Sequence, residues 1–109
     1  MLRLQDGNRI AMKLRARYKF SLYVADHAPN SLRATANLAS LCKEYLADRY
    51  EIELIDVLKN PKRALKDGIL MTPTLIMRSP GRDRRIVGTL SETQPVLSAL
   101  GLDLPTLAA

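Results

Sequence analysis

The chain has 109 residues, 47% of them hydrophobic, with a formal net charge of +6 and a single cysteine. That is enough for one buried core and too little for two. No run approaches the roughly 18 consecutive apolar residues of a membrane span, and one cysteine excludes a disulfide framework and fits a reducing, cytoplasmic compartment.

The charge is unevenly placed. Arg3, Arg9, Lys13, Arg15 and Arg17 stand against Asp6, so +4 of the +6 lies in residues 1–17. This segment has no sustained apolar period and no apolar core of a secretory signal. It is expected to be a basic, mobile leader, with Met12 as an alternative first residue. The folded domain is expected over 18–104, with 105–109 as a short tail.

From Lys19 to Ala25 the residues alternate, Phe20, Leu22 and Val24 on one face and Ser21, Tyr23 and Ala25 on the other, which predicts a strand. A loop, Asp26 to Asn30, follows, and Asn30 or Ser31 is expected to cap a helix. Its apolar positions are Ala34, Leu38, Leu41, Cys42, Tyr45 and Leu46, a helical stripe. Cys42 lies on that stripe and reads as a small core residue, since a reactive thiol needs an exposed electropositive site. A second strand is expected over about Tyr50 to Val57, with Glu51 and Glu53 on its polar face, parallel to the first.

Asn60-Pro61 reads as N-cap and first residue of a short helix that Gly68 ends. Leu75-Ile76-Met77 and Arg85-Ile86-Val87 flank Ser79-Pro80-Gly81-Arg82-Asp83 as a hairpin with a loop longer than two residues. Ser91-Glu92-Thr93-Gln94 fits a capping box opening a last helix through Val96, Leu97 and Leu100, with Gly101 as its stop and Pro95 tolerated in its first turn. The order βαβαββα predicts an α/β, thioredoxin-like fold with a central mixed sheet. Thr72-Pro73-Thr74 sits where such folds carry a cis proline. Where a redox member has Cys-Gly-Pro-Cys, this chain has His27-Ala28-Pro29-Asn30.

Lacking both thiols, that slot argues against disulfide chemistry. His27, the only histidine, has too few neighbouring ligands for a metal site, and Ser31 has no general base beside it, so no catalytic, metal or cofactor residues are expected. Two basic groups remain: Lys59, Lys62, Arg63 and Lys66 around the short helix, and Arg82, Arg84 and Arg85, with Arg78, at the hairpin. Each is a solvated surface or a docking patch for an acidic protein. Neither contains any of the five aromatic residues that would interleave in a single-stranded nucleic-acid platform, so nucleic acid is not expected as a partner.

Leu22-Tyr23-Val24-Ala25, Pro29-Asn30-Ser31, Ile55-Asp56-Val57-Leu58-Lys59-Asn60-Pro61, Thr72-Pro73-Thr74-Leu75 and Arg84-Arg85-Ile86-Val87-Gly88 together resemble the KaiB family of circadian clock proteins, over about Tyr18 to Leu104. The resemblance implies a non-enzymatic partner of KaiC, a hexameric ATPase, with KaiA or the histidine kinase SasA as co-partners. It also implies a homo-oligomer, dimer or tetramer, and two folds: a thioredoxin-like one that binds KaiC and a ground state with a rearranged C-terminal half. The chain departs from the family pattern at Asp26-His27, where Gly-Asn or similar is usual, and at Gly68, where the family tends to carry a Lys tied to KaiC contact. Ala99 and Gly101 take the places of the family's Gly and Asp. These departures support a second expectation, a divergent thioredoxin-like binding module in stress adaptation with a different partner. Ala99, by helix propensity, and Gly101, as a helix stop, are expected to favour the thioredoxin-like form.

Overall fold

A computed structural model describes residues 17–102; most of the basic leader and the 105–109 tail therefore lie outside the described residues. The elements in order are β1 (Tyr18–Val24), α1 (Pro29–Tyr45), β2 (Tyr50–Asp56), α2 (Pro61–Lys66), β3 (Thr74–Ser79), β4 (Arg84–Val87) and α3 (Thr93–Ala99). This is the expected βαβαββα order. The strands form one mixed sheet, β2-β1-β3-β4, in which β1 runs parallel to β2 and antiparallel to β3, and β3 pairs antiparallel with β4.

The central strand β1 divides the interior in two. Phe20, Leu22 and Val24 join Leu75, Met77 and the buried faces of α1 and α3 in the main core. On the other face Tyr23 packs with Ile55, Ile76 and Ala64 under α2, a smaller cluster. Both faces of β1 are thus covered, and Ser21 is buried with them. Cys42 is fully buried on the α1 stripe, as expected, and burial pushes its thiol up to about 12.

Helix starts depart from the expected caps. Pro29 occupies the first helical position, so Ala28 becomes the N-cap and its carbonyl takes the Leu32 amide at 3.0 Å. Ser31 is turned inward instead, its Oγ accepting the Ala25 amide at 3.1 Å. The capping box at 91–94 does not form either. With Ser91 as cap, Pro95 would fall where the first intrahelical N–H is required. The helix begins one residue later, with Glu92 as N-cap, and the Val96 amide makes that bond to the Glu92 carbonyl at 3.2 Å. Asn60 is the N-cap of α2 as expected, but its side chain donates back to the Asp56 carbonyl at 3.2 Å.

The helix stops follow the expectation. Gly68 (φ +67°) and Gly101 (φ +70°) both lie at C′ of a Schellman motif. Gly68 N–H bonds Leu65 O at 3.0 Å and Ile69 N–H bonds Ala64 O at 2.9 Å; Gly101 N–H bonds Ser98 O at 3.1 Å and Leu102 N–H bonds Leu97 O at 2.8 Å. Ile69 and Leu102 each fold onto the cluster that holds the residue they bond, which closes the helix end with an apolar contact. The Thr72–Pro73 peptide is cis, as expected, with Pro73 buried; Ser79–Pro80 is cis as well.

Candidate protein-docking face

The segment from Asp56 to Pro73 carries the first basic group, and its geometry begins with Asp56. The Asp56 carboxylate accepts the Leu58 amide at 2.8 Å, and its carbonyl accepts the Lys59 and Asn60 amides at 3.1 and 2.9 Å. That Asx turn reverses the chain after β2 and aims it into α2. Only Ala64 of the six-residue helix is buried, so Lys62 and Lys66 point to solvent, with Lys59 exposed in the turn before them. Arg63 is engaged: its guanidinium forks onto both Glu53 oxygens at 2.6 Å, a bidentate pair between α2 and the edge strand. The Arg63 hydrogen bonds hold the Glu53 carboxyl below its ordinary range.

Apolar side chains are exposed along the same segment. Leu58, Leu65, Leu70 and Met71 are 70%, 79%, 94% and 64% exposed. Interspersed with Lys59, Lys62 and Lys66, they make a surface that is both cationic and oily. Sequence periodicity did not find it, because a helix of under two turns gives no period to read.

The hairpin arginines do not form one patch. Arg85 pairs across from Ile76 and Arg84 from Met77, so the two project from opposite faces of the sheet. Arg84 lies against the end of α3, donating to the Ala99 carbonyl at 3.4 Å with its guanidinium close over Gly101. Arg85 turns to α2, donating to the Asp67 carbonyl at 2.7 Å and the Gly68 carbonyl at 3.4 Å. Arg82 is exposed in the loop. Of the seven cations expected to dock a partner, three make these internal contacts, while Lys59, Lys62, Lys66 and Arg82 make no side-chain hydrogen bond or ion pair among the described residues.

Between the two basic groups lies a polar cluster that sequence reasoning missed. The fully buried Tyr23 donates its hydroxyl to Asp67 Oδ2. Arg78 donates to the same oxygen at 2.5 Å, to Asp83 Oδ2 at 3.1 Å and to Ser21 Oγ at 3.2 Å. The Tyr23 hydrogen bond, joined by Arg78, holds the Asp67 carboxyl below its usual range, and burial above all raises the Tyr23 phenol. The available signals were the alternation that puts Arg78 on the face of Tyr23, two residues from Ile76, and the position of Asp67 directly before the Gly68 stop.

At the dithiol slot, His27 is 85% exposed on its side chain and sits 3.5 Å from Asp26. Among the described residues no group of three or more histidine, cysteine or acidic side chains lies close enough to hold a metal ion. No helix among them is long and apolar enough to cross a membrane.

A sequence-family model described as "KaiB domain" matches residues 21–102. The chain is 41% identical to circadian clock protein KaiB3 of a Synechocystis strain, covering 91% of this chain and 87% of that one. It is 46% identical to circadian clock oscillator protein KaiB of Thermosynechococcus vestitus, covering 84% and 82%. Among solved structures it resembles the N-terminal domain of Synechococcus elongatus SasA (17% identity, 83% and 89% covered, TM-score 0.65). It also resembles chloroplastic thioredoxin z (19% identity, 92% and 90% covered, TM-score 0.66). At these identities the structural likenesses establish the fold, which is thioredoxin-like.

Proposed function

The chain belongs to the KaiB family, whose curated relatives are circadian clock proteins, and we propose that it acts as a non-enzymatic regulatory protein that docks on a KaiC-type hexameric ATPase. The observation that carries this reading is the exposed surface over residues 58–71, where Leu58, Leu65, Leu70 and Met71 alternate with Lys59, Lys62 and Lys66. An exposed apolar set rimmed by cations on a small domain is the form of a protein-docking site for an acidic, partly apolar surface. A SasA-like histidine kinase or KaiA would share the setting as further partners. The thiol-free slot and the deeply buried Cys42 support a role through contact and not through disulfide exchange.

Gly68 favours the second reading, a divergent stress-adaptation module with another partner. It serves as the left-handed stop of α2, so the chain presents no side chain where the KaiB resemblance leads one to expect a contacting lysine.

Size-exclusion of the chain mixed with a KaiC-type ring tests the first reading. The unsubstituted chain is expected to co-elute with the ring. Lys62→Glu with Lys66→Glu is expected to slow association, with a deficit that narrows as salt rises. No complex with the ring would rule out the ATPase as partner, and a complex indifferent to both lysines would rule out this surface.

A further inference from the structure

The two halves of the basic surface come from segments distant in the chain, α2 and the β3–β4 hairpin. β3 is buried in the sheet, but the parts that face each other pack lightly: α2 buries one side chain and β4 buries none. Apolar contact alone therefore holds α2 and the outer part of the hairpin weakly against each other. What joins them is polar. The guanidinium of Arg78, rising from the middle of the sheet, reaches three places at once: Asp67 at the end of α2, Asp83 in the hairpin loop beside Arg82, and Ser21 on the central strand. Tyr23 fixes the Asp67 carboxylate from below, and Arg85 of β4 fixes the carbonyls of Asp67 and Gly68. Every link between α2 and the hairpin in this network passes through Asp67 or its neighbour Gly68.

We propose that the Arg78–Asp67 pair is the positioning device of the docking face, the clasp that holds Lys62 and Lys66 of α2 and Arg82 of the hairpin in one arrangement for a partner to meet. The inference rests on the docking reading above. A planar fork is required for it: the guanidinium donates from three separate nitrogens, Nε to Ser21, Nη1 to Asp83 and Nη2 to Asp67, whereas the ammonium of a lysine keeps the charge but gathers its donors on one nitrogen that cannot span all three acceptors. Arg78 and Asp67 touch no partner in this account. They act through the residues they hold.

Arg78→Lys is the informative variant because the net charge is unchanged, so long-range attraction to the partner stays as it was. In the full chain, amide hydrogen exchange at Ala64, Gly68 and Ile69 is expected to accelerate about tenfold, the scale of losing one hydrogen bond to a charged group. Binding to the ATPase ring is expected to weaken by roughly the same factor, in the dissociation rate, with the association rate and its salt dependence retained. Asp83→Asn, at an exposed position, leaves the Asp67 pair intact and frees only the hairpin loop. It is expected to give a smaller rise in dissociation rate with α2 exchange unchanged, and it serves should Arg78→Lys not fold. Faster exchange with an unaltered dissociation rate, or unaltered exchange, refutes the clasp while leaving the docking reading standing. Failure of the unsubstituted chain to bind refutes the docking reading, and this inference with it.

Discussion

Replacing Gly101 by alanine probes the C-terminal half of the fold most directly. Gly101 holds φ +70°, and an L-residue in that region costs about 1–2 kcal/mol relative to glycine. Part is returned because alanine restricts the unfolded chain, by about 0.4–1 kcal/mol. The added Cβ would also lie 3.1 Å from Arg84 Cζ and 3.2 Å from Nη2. Those atoms are the far end of a flexible side chain, so Arg84 can swing aside at the cost of its 3.4 Å bond to the Ala99 carbonyl, a long bond at the weak end of the usual range of about 0.5–1.5 kcal/mol. The net destabilisation is about 1 kcal/mol, which for a domain of this size lowers Tm by about 4–8 °C. Gly68→Ala is the matched control. Its φ is +67° with nothing within 4 Å of the added Cβ, so it bears the backbone cost without the arginine. Urea melts should show both midpoints lowered at unchanged m, with Gly101→Ala no less affected than Gly68→Ala. In an Arg84→Ala background the excess at position 101 should vanish. A Gly101→Ala midpoint equal to that of the unsubstituted chain would show that the last helix does not end in this left-handed stop, and the thioredoxin-like C-terminal half would be refuted with it.

Cys42 should resist a thiol reagent at pH 8 in the native chain and react fully once urea unfolds it, since burial raises its pKa to about 12; rapid native labelling would contradict its burial. The Tyr23 hydrogen bond, joined by Arg78, holds the Asp67 carboxyl below the ordinary aspartate range, so the stability it contributes is present above about pH 4 and lost as pH falls through its folded-state value. Asp67→Asn should therefore be less stable than the unsubstituted chain at pH 7, with the gap closing in acid; melts at a series of pH values check this, and a gap constant down to pH 2 would refute it. Ala47, at φ +53° just past α1, bears a left-handed backbone without glycine. Ala47→Gly should raise Tm by a few degrees, a gain of up to about 1 kcal/mol after the entropy of glycine is counted, and a lowered Tm would contradict that geometry.

The parts of the fold legible in the sequence were those written in local chemistry. Alternation in β1, the helical stripe of α1, glycine at both later helix ends and the Asp56-to-Pro61 turn each carry their cause within a few residues. The caps of α1 and α3 were misread for a physical reason: proline at 29 and at 95 restricts where a helix can begin more strongly than a serine hydroxyl can attract the start. The site was less legible because the pairing of Arg63 with Glu53, of Arg85 with the Asp67 carbonyl and of Arg78 with Asp67 depends on how α2 and its end pack against the strands, which sets residues 10 to 18 positions apart side by side. A count of arginines cannot separate those held inside from those left to a partner.

That division bears on how a thioredoxin-like scaffold can work by contact. In the slot after β1, Pro29 begins α1 and Ser31, buried, closes the loop through the Ala25 amide, so the site of a dithiol is filled by residues that only shape the chain. The exposed apolar and cationic side chains lie instead on and around the short helix on the opposite face of the sheet, where α2 covers Tyr23 and Ile76 yet leaves its own leucine and lysines outside. A helix this short cannot hold itself, by propensity or by packing. Its position is set instead by the Asx turn before it, the Schellman stop after it and the charged links to Glu53, Arg78 and Arg85. Arg63, Arg78, Arg84 and Arg85 are therefore engaged within the fold, and the cations of the two basic groups left without a side-chain partner among the described residues are Arg82, Lys59, Lys62 and Lys66.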